Sequence, residues 1–396
     1  DGTMPNIICI MNESLSDLGA LGNLETNEDY MPFIHSLTEN TIKGSLSMPV
    51  FGAGTSNSEF EFLSGDSISF LPTGCNVYQS YVKDTVPSLV STLGTLGYSR
   101  TAFHPYYGEG WNRRNVYPLL GFENYISIED FVDQDILDTY KQNNDVTEYE
   151  MLLNERYPDR NMLLRRFVSD SYDYSMVENM YENRDTSKPF FLFNVTMQNH
   201  GGYDWDGDGY FDKRIYLTGE EQDKYPTVDQ YLSLVRYSDD AVQELISYFS
   251  KVDEPTAIVF FGDHQPNLPE DFYNTLLESQ RGDLSDAELR QKKMVTPFFI
   301  WANYDIKEQT NMQISANYLS AYALNALGCS TSGFDQMRLA LQQQIPVMNV
   351  NGYRLPDGNW YPQGEQPEND LLNDYHHAEY AQIFDAKNRS DEWYTP

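Results

Sequence analysis

The chain carries a hydroxyl-rich loop and two acidic or imidazole-bearing strand ends that together could perform metal-assisted phosphoryl chemistry. Gly52-Ala53-Gly54 runs into Thr55-Ser56-Asn57-Ser58-Glu59. Ser56 and Glu59 have the Ser-x-x-Glu spacing of a capping box, which predicts that a helix opens here. A hydroxyl at that point sits over unpaired backbone N–H groups and the positive end of the helix dipole, and both favour an alkoxide or a phosphate. A plain capped helix after a turn has the same pattern. Glu13 follows the apolar run 6–11, and Asp263-His264 follow the apolar run Thr256–Gly262. Open α/β sheets bind ligands at the carboxyl ends of their strands, so these side chains can converge. Carboxylates with one imidazole suit Mn2+, Mg2+ or Zn2+. An ion on the Thr55 oxygen would lower its pKa and make it a nucleophile at neutral pH. A capping Asp and a hydrogen-bonded His at a strand end give the same residues without a metal.

The elements that must hold these residues show as periodicity. Continuous apolar runs predict buried strands at 6–11, 189–196, 256–262 and 296–301, with a further strand at 99–104. Helical spacing or capping predicts helices from Met31, over 86–96, from Ser169-Asp170 to 180, and over 231–249, 316–327 and 370–384. Strand, loop and helix alternate, and polar residues gather after the strands. That pattern predicts an α/β fold: a mostly parallel sheet sandwiched by helices. Residues 126–166 are acidic and helical in places, with no assignment beyond that. After Gly333 the texture changes. Residues 346–350 and 359–361 flank a Pro356-Asp357-Gly358 turn and predict a β-hairpin. We therefore expect a catalytic domain over 1–333 and a small C-terminal subdomain over 334–396.

The net charge of -34 argues against nucleic acid as a partner, which needs a basic surface, and against general adhesion to anionic membrane. A phosphate site must then be made locally, by a metal or a few arginines. Three cysteines fit no zinc spacing, and their odd number excludes a fully paired framework. No window approaches the ~18 apolar residues of a membrane span. Because Asp1 lies almost directly before a core strand, we expect an ectodomain whose membrane anchor precedes this sequence. Separately, Asp204-Trp205-Asp206-Gly207-Asp208-Gly209, with Asp212 in ninth position, matches the first half of a Ca2+ loop. Ile215 stands where the bidentate Glu belongs, so an acidic surface turn is the competing reading.

Asn12-Glu13-Ser14, Gly54-Thr55-Ser56 with Ser58-Glu59-Phe60, Gly110-Trp111-Asn112-Arg113, Asn199-His200 and Gly262-Asp263-His264 occur in an order and spacing that resembles the lipoteichoic acid synthase family. These are phosphoglycerol transferases with a sulfatase/alkaline-phosphatase-like ectodomain, anchored in the membrane of Gram-positive bacteria. The resemblance implies Thr55 as nucleophile, and Mn2+ (or Mg2+) held by Glu13, Thr55, Asp263 and His264. It also implies that His104, Trp111, Arg113 and His200 line a glycerol-phosphate pocket. The residue types agree: Arg113 offers a fork of donors to phosphate, Trp111 can pack on glycerol carbons, and His200 can deliver a proton to a leaving oxygen. There are departures. Met11 replaces the usual His, and Gln265-Pro266-Asn267-Leu268 replaces Tyr-Gly-x-Ser. Residues 12–17 and 29–33 are more similar to enzymes that place glycerol phosphate on streptococcal wall polysaccharide.

The expected activity is extracellular transfer of glycerol phosphate from phosphatidylglycerol, through a covalent Thr55 intermediate, to lipoteichoic acid or a wall polysaccharide. The rival is a hydrolase of the same fold, a phosphodiesterase or sulfatase. Thr55-Ser56-Asn57-Ser58-Glu59 lacks the Cys or Ser and the Arg of a sulfatase nucleophile motif, and the extra ligands of a two-metal phosphatase site are not evident. A wall-polymer binder without activity would have little use for the intact Glu13, Thr55, Asp263 and His264 set.

Overall fold

The apolar runs do form strands, and their register fixes where the polar residues after them emerge. The protein is described from a computed structural model that covers residues 4–143, 146–207 and 211–396. In chain order the first ten strands are β1 (Asn6–Asn12), β2 (Thr41–Ser47), β3 (Ser99–Phe103), β4 (Asn124–Ile126), β5 (Leu163–Leu164), β6 (Phe167–Val168), β7 (Phe190–Val195), β8 (Thr256–Gly262), β9 (Val295–Ala302) and β10 (Gln309–Ser315). Eight of them make one sheet in the order β10-β2-β9-β8-β1-β7-β3-β4, while β5 and β6 pair as a separate hairpin. Only β9 runs against its neighbours β8 and β2; the other pairings in the sheet are parallel. The α/β reading therefore holds, with one antiparallel strand inside it.

The central strands β1, β7 and β8 are buried along their whole length, which is why they read as unbroken apolar runs. Alternate residues of β1 serve opposite faces. Ile7, Cys9 and Met11 join a core with Phe62 and Leu63, and Ile8 and Ile10 join another with Tyr231 and Leu234. Three strands of this sheet went unread, β2, β10 and the three-residue edge strand β4. The middle of β2 is half-buried Lys43-Gly44-Ser45, and β10 lies at the sheet edge, so neither carries a continuous apolar signal. Gly44 is required there: a Cβ would lie 1.8 Å from the Met312 carbonyl oxygen of β10.

The C-terminal expectation needs correction in detail. In place of a hairpin there is a three-stranded antiparallel sheet: β11 (Val347–Asn349), β12 (Gly352–Arg354) and β13 (Trp360–Pro362). The segment 346–350 pairs with β12, not with 359–361. The overlooked turn is Asn351-Gly352, where Gly352 has φ 139° and Asn351 N–H donates to its neighbour Asn349 Oδ1 at 2.9 Å. This sheet, the Gly333–Gln344 helix and the Asp370–Phe384 helix share a core that includes Phe334, Leu341, Met348, Tyr353, Leu372 and Tyr375.

Where these elements meet the end of the Thr55–Ser64 helix, three carboxyl groups are shut away from water: Glu61, Asp66 and Glu379. Both Glu379 oxygens and Glu61 Oε1 lack a hydrogen-bond partner. Burial pushes all three pKa values well above the usual carboxylate range, and Asp66 and Glu61 push Glu379 further. A carboxyl whose folded pKa is raised contributes stability at low pH that is lost as pH rises. Glu379→Gln should therefore raise the melting temperature at pH 8 by at least about 2 °C, with a gain that shrinks at pH 5. A gain independent of pH in thermal unfolding would contradict this reading.

Candidate active site

Thr55 is the first residue of the Thr55–Ser64 helix, and Gly54 is its N-cap in the left-handed region at φ 92°. A Cβ on Gly54 would lie 2.9 Å from Val50 Cγ1, so both conformation and space call for glycine. The capping box expected from Ser56 and Glu59 is not made, because no side chain caps this helix. Ser56 Oγ instead donates to Asn76 Oδ1 at 3.3 Å, and Glu59 turns to Arg113. Thr55 is left free to donate from Oγ1 to Asp263 Oδ2 at 2.8 Å.

Register brings the acidic residues together. Asn12 pairs with Gly262 across β1 and β8, so the next residues, Glu13 and Asp263, leave the sheet side by side. Ser14 N–H donates to Asp263 Oδ1 at 2.7 Å, and Glu13 N–H donates to Thr196 Oγ1 at 2.9 Å. Ligand atoms of Glu13, Asp263 and His264 all lie within 4.8 Å of one another, and all three residues are buried. His264 Nδ1 stands 2.8 Å from the Gln265 carbonyl, a contact that only an N–H can make favourably. That hydrogen bond fixes the proton on Nδ1 and leaves the Nε2 lone pair facing Asp263 Oδ2 at 3.1 Å and Glu13 Oε1 at 3.7 Å. Burial and then Glu13 push the Asp263 pKa up to about 7. A lone pair aimed at two buried carboxylates is repulsive unless a cation answers it: either a proton on Nε2, since against the opposing effect of burial Asp263 and Glu13 raise the His264 pKa, or a metal ion in its place. The donor set therefore fits one divalent ion with oxygen and imidazole ligands. Of the acidic loop proposed for Ca2+, Asp208 lies outside the described residues. Asp204, Asp206 and Asp212 are exposed and do not by themselves bring three ligand atoms equally close.

Glu13, Thr55 and His264 floor a cavity of about 610 Å³, whose walls include His104, Tyr106, Trp111, Arg113, His200 and Tyr203. His104 is buried with Nδ1 2.8 Å from the Val195 carbonyl, and burial followed by the Arg113 charge holds its pKa well below the usual value. It is a neutral ring with Nε2 free to accept. His200 is exposed at the mouth, although protein crowds its other sides, and that desolvation still lowers its pKa. Trp111 and Asn112 are consecutive residues with positive φ, 58° and 61°. Two non-glycine residues held in that region mark a backbone constrained to present its side chains.

Arg113 has a role that was not foreseen. It is buried, and its Nε donates to both Glu59 oxygens at 3.2 Å, while Tyr117 donates to the same carboxylate. Removing one partner of a buried ion pair costs about 3–5 kcal/mol. Arg113→Ala should therefore lose about that much in denaturant unfolding as well as turnover. The double variant Arg113→Met with Glu59→Gln should recover most of the stability and none of the turnover. Recovery of both would remove Arg113 from the site's chemistry.

Two features behind the site were invisible in the sequence. One is a buried polar layer: Asn12 Nδ2 donates to Asp170 Oδ2 at 2.9 Å, Asn199 Nδ2 to Asn12 Oδ1 at 3.2 Å, and Ser238 Oγ to Asp170 Oδ2 at 2.6 Å. It ties the end of β1 to the loop that carries His200. The other is Arg165, in the unassigned stretch, which donates to the carbonyls of Gln198, His200 and Gly202 at 2.7, 2.9 and 2.6 Å.

A parallel-rich sheet with a hydroxyl at a helix N-terminus over a buried acidic, imidazole-bearing cluster defines a class. The chain belongs to the sulfatase family, whose model matches residues 5–329. It is similar to a putative cyclic beta-1,2-glucan modification protein of Rhizobium meliloti (27% identical, covering 98% of this chain and 56% of that one). It is also similar to the lipoteichoic acid synthase of Staphylococcus saprophyticus (26% identical, covering 92% and 54%). The chain thus spans little more than half the length of these relatives. Its fold is that of the Streptococcus pyogenes phosphoglycerol transferase GacH, solved with sn-glycerol-1-phosphate (TM-score 0.71, 20% identical, covering 95% and 85%). The Listeria monocytogenes lipoteichoic acid synthase LtaP shares it too (TM-score 0.66, 18% identical, covering 98% and 92%). Among the described residues no helix is long and apolar enough to cross a membrane.

Proposed function

We propose that the protein is a metal-dependent phosphoglycerol transferase. It would move glycerol phosphate from phosphatidylglycerol to a cell-envelope polymer, lipoteichoic acid or a wall polysaccharide, on the outer face of a bacterial membrane. A Gram-positive envelope is the setting that similarity to the lipoteichoic acid synthases favours, and the Rhizobium relative widens the range of glycans to consider. The observation that carries the proposal is the Thr55 hydroxyl, hydrogen-bonded to Asp263 within a buried Glu13, Asp263 and His264 cluster that opens into a cavity walled by Trp111 and Arg113.

Glu13, Asp263, His264 and Thr55 would hold the ion, Mn2+ or Mg2+, which when bound lowers the pKa of the hydroxyl and neutralises charge on the phosphoryl oxygens. Thr55 Oγ1 attacks phosphorus and passes its proton along the hydrogen bond to Asp263 Oδ2. The bond from phosphorus to the diacylglycerol oxygen breaks, and diacylglycerol leaves with a proton delivered at the cavity mouth by His200. The glycerolphospho-threonine is then attacked by an acceptor hydroxyl. His200, which enters the cycle protonated beside the anionic phosphodiester and is left neutral once diacylglycerol has taken its proton, takes that hydroxyl's proton, and Thr55 recovers its own from Asp263. Arg113 orients the phosphate with the guanidinium nitrogens that Glu59 does not bind, and Trp111 packs on the glycerol carbons.

Labelled phosphatidylglycerol incubated with the protein and Mn2+ should yield diacylglycerol and a labelled acceptor. Trp111→Ala should lower that turnover about tenfold while changing cleavage of a small aryl phosphodiester much less. Efficient release of sulfate or inorganic phosphate from monoesters, with phosphatidylglycerol untouched, would replace this reading with a hydrolase of the same fold.

A further inference from the structure

Cations are scarce in a chain of net charge -34, and those around the cavity are almost all answered by a carboxylate. Arg113 is held by Glu59, Arg114 by Glu129 at 3.5 Å, and Lys141 by Glu109 at 3.3 Å. Arg165 has no carboxylate, but three backbone carbonyls of the His200 loop receive it. Arg166 is different. Among the described residues it has neither a hydrogen bond nor an ion pair; its guanidinium lies over the Phe167 ring, 5.0 Å from the centroid.

Its position follows from the β5–β6 hairpin. Arg165 and Arg166 form the turn between the two strands, with Arg165 at φ 55°. Arg165 plunges inward, 2% exposed, and fixes the carbonyls at 198, 200 and 202. Arg166 stays half-exposed at the rim. Its Nη2 lies 3.3 Å from where a Cβ on Gly202 would stand, and Gly202 and His200 line the cavity. The Phe167 ring beneath it also packs on His200, with centroids 5.3 Å apart. Asp204 Oδ1 is 3.8 Å from the same Gly202 position without pairing with Arg166. The hairpin thus holds one uncompensated guanidinium beside the imidazole at the mouth.

This inference rests on the transferase reading. In a displacement on Thr55, the leaving diacylglycerol and the entering hydroxyl both use the side of phosphorus away from Thr55, where His200 handles the proton. Diacylglycerol carries no charge, so a guanidinium gains no ion pair from it. We propose that Arg166 determines acceptor specificity: it selects an acceptor with a phosphodiester next to the attacked hydroxyl, such as the end of a glycerol-phosphate chain, over a neutral glycan. Arg165 is the positioning residue that sets the loop against which Arg166 works.

The test compares the wild type with Arg166→Gln and Arg166→Lys, using labelled phosphatidylglycerol in neutral detergent micelles. Each enzyme is offered a glycerol-phosphate oligomer or a neutral oligosaccharide of similar size as acceptor. The wild type should favour the oligomer. Arg166→Gln should reduce the ratio of transfer to oligomer over transfer to oligosaccharide about tenfold, through the KM of the oligomer, the loss expected for one charge-assisted contact. Arg166→Lys should keep most of the preference, and added salt should erode it in the wild type more than in Arg166→Gln. A ratio unchanged in Arg166→Gln, or a wild type that prefers the neutral acceptor, overturns the assignment. Release of diacylglycerol is followed in parallel. A wild type that releases none overturns the transferase reading itself, and the acceptor assignment falls with it.

Discussion

Thr55→Ala should cut release of diacylglycerol from phosphatidylglycerol by roughly a thousandfold or more while leaving a folded protein. The size of the effect follows from the surroundings of the hydroxyl. Thr55 Oγ1 is the one hydroxyl of the helix start that points at Asp263 Oδ2. Its neighbours are committed elsewhere: Ser56 Oγ to Asn76, and Ser58 Oγ, fully buried, to the Asp263 carbonyl at 2.7 Å. Neither can substitute without breaking its own bond. The structural cost is small, because the helix start is set by Gly54 and not by a side-chain cap, and the loss of one hydrogen bond costs about 1 kcal/mol. Turnover within tenfold of wild type, measured on a variant with unchanged circular dichroism, would move the nucleophile away from Thr55.

Removing the metal should have an effect of similar size and should also tie stability to pH. Chelation, or His264→Ala, is expected to reduce turnover at least a hundredfold, and Mn2+ or Mg2+ should restore the chelated wild type. In the metal-free protein the Asp263 pKa is pushed up to about 7, against an ordinary value near ~4. The stability linked to that carboxyl is present in acid and is lost as pH rises through 7. An ion across Glu13, Asp263 and His264 stabilises the ionised form and removes the loss. The difference in unfolding free energy between loaded and chelated protein should therefore widen from pH 5 to pH 8. At an ion concentration a thousandfold above Kd it should reach about 4 kcal/mol. Binding near pH 6 should release protons, measurable as a buffer-dependent heat in calorimetry. Equal melting temperatures with and without ion at pH 8, or turnover that survives chelation, would contradict the metal site.

Much of the architecture was legible because the central strands are buried on both faces. Residues 6–11 and 256–262 could hardly be anything but core strands, and their ends therefore predicted where Glu13 and Asp263 emerge. The partly buried β2 and the edge strand β10 carry no such pattern, and only the pairing of β2 with β9, the pairing of β10 with β2 and the close approach at Gly44 reveal them. The helix at Thr55 was expected for a reason that fails. Its start rests on the backbone of Gly54, and the supposed cap partner Glu59 is the buried counter-ion of Arg113. That pairing joins residues 54 positions apart in the chain, which no local spacing encodes. Arg165 and Arg166 were unreadable for the same reason. Nothing around them is periodic, and their meaning lies in carbonyls and an imidazole contributed by residues more than thirty positions away.

The central claim, a covalent glycerolphospho-threonine, is tested most directly by mass spectrometry of the protein quenched during turnover of phosphatidylglycerol without acceptor. The account predicts that the peptide containing Thr55 carries an added mass of glycerol phosphate less water, absent from Thr55→Ala. Lipid turnover with no adduct on that peptide, or with the adduct on another residue, would contradict it.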